Sequence, residues 1–347
     1  MRPWILLFSW LWGWAALGLP PCPKPDLIAP CTCEFGEAGP DFDAPTDSPV
    51  FVDCSAATAS EIFSAFNDVA WASDQKYFDI WWNDALTDLP SGVFGDVSFH
   101  AIQIHGARNL ERMDPDALER SGDRLRDLTV AFCRLGDFPW EALPRLGELR
   151  SVDASDNAIA RLPAIESPTL QSLYLQQNDI SDVRAGWATP ELKVLDLDNN
   201  PISSLPPEFL EGLGSLESFS CWGCRLGPTL PSGSMAFRSP ALKVVELYGN
   251  GIEIVEPGAI TGLTADTRVN LHYNRISSLR EESLRGMLEA LSPGTGQLDV
   301  YGNPVECGCS MAWIVLDPEF LKSVKGECKD GTAFQELDPG SFRDRLS

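Results

Sequence analysis

Eight segments of this chain can be laid on one another in a single register. Around Asn157, Asn178, Asn200, Asn250, Asn274 and Asn303, apolar residues stand five and three places before the Asn and two places after it. Leu173/Leu175/Ile180, Leu195/Leu197/Ile202 and Val245/Leu247/Ile252 show the pattern at its plainest. Two more segments fit with Cys in the Asn slot: Leu128/Val130/Cys133/Leu135 and Phe219/Cys221/Cys224/Leu226. From position 133 onward the slots are 24, 21, 22, 24, 26, 24 and 29 residues apart. A period of this size describes supersecondary units that cannot bury an apolar face alone and must stack.

Within each unit the alternating apolar pair reads as a short strand with one face inward, and stacking pairs these strands into a parallel sheet. The Asn falls where the chain leaves the strand, and its amide can satisfy backbone groups that would otherwise be buried unpaired. Cys fits the same slot but is a weaker hydrogen-bonding group. The pattern resembles that of leucine-rich repeats, L-x-x-L-x-L-x-x-N/C-x-L. The expected fold is therefore an α/β repeat, a leucine-rich-repeat solenoid or horseshoe with a parallel sheet on its concave side. Phe99, Ile102, Ile104 and Leu110 suggest a further repeat upstream, and residues 80–89 a more degenerate one. Leu284, Met287, Leu288 and Leu291 recur at helical spacing before Pro293-Gly294, so the longest connection should hold a convex-side helix.

Charge narrows the partners. With 26 Lys+Arg against 50 Asp+Glu the formal charge is −24. Such a field repels phosphate backbones and anionic headgroups, which argues against nucleic acid and membrane surfaces. Residues 1–18 combine Arg2, an apolar run over 4–17 and a small-residue site, the pattern of a secretory signal peptide and too short for a membrane span. The C-terminal sequence ends in polar residues with neither a second span nor a lipid-anchor tail. The expectation is a secreted, extracellular chain with no membrane insertion. No Asn-x-Ser/Thr acceptor occurs in it.

A repeat stack exposes apolar edges at both ends, and secreted proteins staple the covering caps with disulfides. Cys22, Cys31, Cys33 and Cys54 form a cluster that resembles the N-terminal caps of extracellular leucine-rich-repeat proteins. Spacing alone permits three connectivities; the resemblance implies Cys22 with Cys33 and Cys31 with Cys54. Thr58-x-x-Glu61 is a capping box leading into Ile62, Phe63 and Phe66, which reads as a short helix over the first repeat. Asn303-Pro304-x-x-Cys307-x-Cys309-x-x-x-Trp313, with Cys328, resembles the C-terminal cap of the same class, whose pattern has four cysteines where this chain has three. One of Cys307 and Cys309 is thus left without an obvious partner. Cys133, Cys221 and Cys224 read as buried structural thiols, with metal or redox use of the C-x-x-C pair as the minor alternative. The organisation expected is a signal peptide at 1–18, a cysteine-rich cap at 19–75, repeats over 76–303 and a C-terminal cap at 304–347.

Residues between the inward apolar positions face out from the sheet. Two places before the slot they are Ala131, Ser155, Gln176, Asp198, Trp222, Tyr248, His272 and Tyr301. Four places before, they are Thr129, Asp153, Tyr174, Asp196, Ser220, Glu246, Asn270 and Asp299. Tyr174, Trp222, Tyr248, His272 and Tyr301 supply rigid anchors, and Asp196, Asp198, Glu246 and Asp299 put negative charge beside them, a mixture suited to a basic protein surface. The plainer reading is that strands favour aromatics and that acids keep the face soluble. No catalytic residues, metal ligands or cofactor are expected: hydrolase, P-loop and dinucleotide fingerprints are missing from a chain with three His. Asp196-x-Asp198-x-Asn200 mimics a calcium loop only in part, since the Gly and terminal Glu of such a loop are lacking.

Over most of the chain the order of features resembles a group of arthropod secreted leucine-rich-repeat proteins that includes the non-catalytic subunit of an oplophorus-type luciferase. The residues that carry this are 89–96, 114–118, 256–260 and above all Cys309-Ser310-Met311-Ala312-Trp313-Ile314-Val315. The resemblance implies a catalytically inert accessory chain that binds and stabilises another protein, a small secreted enzyme in that member. The alternative is a free-standing extracellular recognition protein for adhesion or immune surveillance. The oligomeric state is not specified by these features.

Overall fold

A computed structural model describes residues 22–35, 50–71 and 77–344. The segment read as a signal peptide lies outside them. One 13-stranded sheet runs the length of the molecule. Its first pair, Thr32–Phe35 with Val50–Asp53, is antiparallel; every later neighbour is parallel. The central strands Ser151–Asp153, Ser172–Tyr174, Val194–Asp196, Ser218–Ser220, Val244–Glu246, Arg268–Asn270 and Gln297–Asp299 share one burial alternation, with only the middle residue buried. The chain is a leucine-rich-repeat solenoid.

In these central repeats a three-residue strand is all that one rung of the sheet needs, and in most of them an Asn closes the turn that follows. Asn200 Nδ2 donates to Leu197 O within its own turn and to Leu175 O of the preceding repeat, both at 2.9 Å, while its Oδ1 accepts from Ile180 N at 3.0 Å. Asn178, Asn274 and Asn303 repeat the arrangement, so one buried amide closes its own turn and ties it to the previous one. Behind the sheet, Leu173, Leu175, Ile180, Leu195, Leu197 and Ile202 are fully buried and form a continuous column of apolar contacts. At about 25 cal/mol per Å2 of apolar surface removed from water, this column is the main source of stability.

The convex side is built from irregular pieces. The helix Glu281–Leu291 buries Leu284, Met287, Leu288 and Leu291, the residues whose spacing marked it. Under the N-terminal repeats, Phe78, Phe94 and Phe99 pack edge-on around Phe66 of the helix Ala59–Asn67, whose Thr58–Glu61 capping box is formed. The segment over residues 80–89, read from sequence as degenerate, is regular: Tyr77–Trp81 pairs over five residues with Ala101–His105, and Asn83 fills the slot.

The caps are stapled at both ends. Cys22 is bonded to Cys33 and Cys31 to Cys54; at the other end Cys307 is bonded to Cys328, which leaves Cys309 unpaired and exposed. One expectation is overturned. Cys221 and Cys224 are not thiols but a disulfide, because the turn at Gly223, with φ +64°, folds the chain back and brings their Cα atoms to 5.6 Å. Cys133 remains a buried thiol, pushed up to about 11 by burial. Among the described residues no helix is long and apolar enough to cross a membrane.

Candidate functional site

The outward residues align rung by rung. The column four places before the slot runs Asp53, Asp79, Gln103, Thr129, Asp153, Tyr174, Asp196, Ser220, Glu246, Asn270, Asp299 and Lys325 across successive strands. The acids have a local task here. Asp153, Asp196 and Asp299 each accept from the backbone N–H two residues on, that of Ser155, Asp198 and Tyr301, at 2.9, 2.9 and 3.3 Å. Asn270 does the same for His272 N at 2.9 Å. This use satisfies a donor that the sheet ladder leaves free, and it explains why Asp and Asn recur at the strand exit.

Burial pushes Asp196 up to about 6; its hydrogen bond from Asp198 N opposes this, and the charges of Asp198 and Asp153 add to it. Asp198 is raised by burial against the pull of its bonds from Ser220 Oγ and Trp222 N. Glu246 is raised by burial and held down in part by Asn270 Nδ2, which donates to it at 2.6 Å. Half-buried carboxylates on alternate rungs, Asp196 and Asp198 at one and Glu246 on the second strand after it, thus concentrate negative charge where water is scarce, the condition under which a cation binds most strongly.

Rings flank the acids. Trp222 and Tyr248 meet edge to face at 5.4 Å, Tyr248 lies 5.1 Å from Tyr273, and His272 lies 5.8 Å from Tyr301. Trp222, Tyr273 and Tyr301 are exposed, and Tyr174, Tyr248 and His272 are half-buried. His272 Nε2 also approaches Asp299 Oδ1 to 2.5 Å, as an electrostatic contact without the alignment of a hydrogen bond. The structure therefore gathers the sequence-predicted Asp196, Asp198, Trp222, Glu246, Tyr248, His272, Asp299 and Tyr301 on consecutive rungs of one face, with Tyr174 one rung before Asp196. Ala131 and Ser155 differ from expectation: both are buried, being small and covered by their neighbours.

Sequence alternation missed a further column, the residue directly before the slot. It is left-handed in every repeat: Trp82, Phe132, Asp156, Gln177, Asn199 and Tyr273 have φ between 50° and 60°, and Gly106, Gly223, Gly249 and Gly302 take the remaining rungs. The left-handed turn swings that side chain onto the outward face. The signal for it was the recurring Gly at this position. Trp81, in the Trp222 column, was missed as well. Among the described residues no group of three or more His, Cys, Asp or Glu is placed to hold a metal ion.

Comparison with known proteins agrees with this architecture. The leucine rich repeat family model matches residues 168–226. The chain is 28% identical over 349 residues to the Oplophorus-luciferin 2-monooxygenase non-catalytic subunit of Oplophorus gracilirostris, a match that covers 92% of this chain and 87% of that protein. Nephrocan of Mus musculus is 30% identical over 190 residues, 54% of this chain and 34% of its own length. One chain of a crystal structure of an LRIM1/APL1C complex superimposes with a TM-score of 0.50 at 16% identity, covering 67% of this chain and 39% of that one. The chain thus resembles a non-catalytic luciferase subunit along most of both lengths, whereas it spans about a third of nephrocan.

Proposed function

We propose that this chain is a secreted, non-catalytic binding subunit whose concave face docks a basic protein and holds it in a stable complex. The observation that carries this is the contiguous patch of Trp222, Tyr248, His272, Tyr273 and Tyr301 against the half-buried acids Asp196, Asp198 and Glu246. Rigid aromatic side chains lose little entropy on binding, and the acids select a cationic surface and speed its approach. The relative from Oplophorus gracilirostris is named as a subunit without catalytic activity, which supports an accessory role for a chain that matches 87% of it. Three disulfides in the two caps support an oxidising, extracellular compartment. A small secreted enzyme is the class of partner this reading favours, and no cofactor enters it.

The test is to recover the tagged full-length chain from the secreted fluid of its source and measure stoichiometry by light scattering and mass spectrometry. A companion protein at fixed ratio, displaced by salt, supports the reading. Recovery of the chain alone overturns it.

A further inference from the structure

A second ring cluster lies toward the N-terminal end of the same face, where no role has been assigned. Trp81 lies tilted against His105 at 5.0 Å, His105 meets Phe132 at 4.9 Å, and Trp82 lies edge-on to His105 at 6.4 Å. The Arg108 guanidinium stands over the Trp82 ring at 5.6 Å. Trp82 is 61% exposed and Phe132 44%, so neither ring is needed to fill the core.

Backbone conformation makes these rings unusual. Trp82 and Phe132 have φ of 54° and 55°, in a column where four other rungs use Gly and three use Asp, Gln or Asn. Bulky aromatic side chains are disfavoured in the left-handed region, which Gly, Asn and Asp tolerate. The solenoid turns equally well with Gly at this place, as Gly106, Gly223, Gly249 and Gly302 show. Gly106 also makes room for Trp82: a β-carbon there would meet the Trp82 ring at 2.5 Å. Strained backbone that exposes an apolar ring, supported by a neighbouring residue that fits under it, points to use of the ring.

From Phe132 to Trp222 the sheet advances four strands, from Asp127–Ala131 to Ser218–Ser220, which is about 19 Å. Asp153 and Asp196 lie on the strands between, and Asp198 two residues past the end of the strand that carries Asp196. We infer that the Trp81–Trp82–His105–Phe132 cluster is a second anchor for the protein that docks on the Trp222–Tyr248 patch, so that the partner is held at two apolar points about 19 Å or more apart with a basic strip over the acids between them. This rests on the proposed function above. The tilt between neighbouring rings, 33° and 42°, presents edges and corners to a protein surface in place of the flat platform on which a sugar stacks.

The test is site-directed photocrosslinking with the full chain in the secreted fluid, benzoylphenylalanine being placed at position 82, 132 or 222, or at 254 on the far flank as control. One protein species crosslinked from 82, 132 and 222 but not from 254 is the expected result. Crosslinking from 222 alone, or of a different species from 82 and 132, overturns the second anchor and leaves the proposed function standing. No crosslinking from any position overturns both. In parallel, Trp82→Gly and Phe132→Gly should leave Tm unchanged or raise it, through relief of the backbone, while recovery of that species falls at least tenfold. A Tm loss as steep as that of Leu128→Ala, or unchanged recovery, overturns the second anchor.

Discussion

The backbone N–H of Trp222 donates to Asp198 Oδ1 at 2.6 Å across two neighbouring repeats. Ring and charge are therefore one unit: the carboxylate fixes the chain that presents the indole, and the indole ring lies against Tyr248 on the next rung. A partner that takes the ring necessarily approaches the acid, which also accepts from Ser220 Oγ.

Trp222→Ala and Tyr248→Ala should each weaken partner binding by about 1 kcal/mol or more, since exposed aromatic anchors at an interface carry energies of that order. Stability should change little, because Trp222 is 43% exposed. Leu195→Ala, at a fully buried position of the same stack, is the control and should cost about 2–5 kcal/mol of stability. Titration calorimetry with the purified companion, paired with denaturant melts, separates the two effects. Unchanged affinity in both aromatic variants would sink the assignment of this patch.

Asn200→Ala should destabilise the fold on the order of 3 kcal/mol, because it strips partners from the buried Leu175 O, Leu197 O and Ile180 N together. Asn157 makes the same kinds of bond but is half-exposed, so water replaces some of them and Asn157→Ala should cost roughly half as much. Equal losses at the two positions, measured by urea denaturation, would refute the argument from burial.

The rungs were legible in the sequence because two constraints coincide at nearly all of them: an inward apolar pair and a slot filled by Asn or a small Cys, with the buried Ala107 as the exception. What escaped was whatever the left-handed turn controls. Phe132 and Tyr273 lie one place before the slot, where simple alternation sends a side chain away from the outward face, and a positive φ turns it back. Trp81 and Trp82 were hidden for a second reason. The strand that ends at Trp81 reads Tyr77-Phe78-Asp79-Ile80-Trp81, with aromatics on both faces, so its period was blurred. Cys221 and Cys224, three residues apart, would lie too far apart for a bond in an extended strand; the turn at Gly223 makes the disulfide.

That disulfide stands where the amide ladder is broken. Cys224, oxidised, has no hydrogen to donate from its slot and its Sγ merely lies 3.5 Å from Leu197 O, where an Asn would make three hydrogen bonds. The covalent closure from Cys221 to Cys224 takes over the task of fixing the turn that carries Trp222. Cys221→Ser with Cys224→Ser should lower Tm and weaken partner binding together. Cys221→Ala with Cys224→Asn restores the residue type of the neighbouring repeats and should bring stability back to within about 1 kcal/mol of the parent. Failure of the second pair to recover, judged by thermal melts, would mean that the bond does more than replace the amide.

Low pH should stabilise the free chain and loosen its complex. Asp79 and Asp196 are both pushed up to about 6 by burial, with the charge of Asp53 adding to the first and those of Asp198 and Asp153 to the second. In the unfolded chain these carboxyls titrate near their ordinary value of 3.8. Between those two values the folded state holds more protons than the unfolded one, so the free energy of unfolding falls as pH rises through the window and recovers as pH drops. Groups shifted the other way, such as Glu61, which is lowered by its hydrogen bonds from Thr58, lose their contribution only once pH falls below the ordinary Glu value of 4.5. Tm should therefore rise from about pH 7.5 to about pH 5. Over the same interval protonation of Asp196 removes charge from the docking face, and affinity for a basic partner should decline. Asp79→Asn with Asp196→Asn should flatten the Tm profile. A Tm that falls steadily from neutral pH to pH 5 in the parent chain contradicts the account.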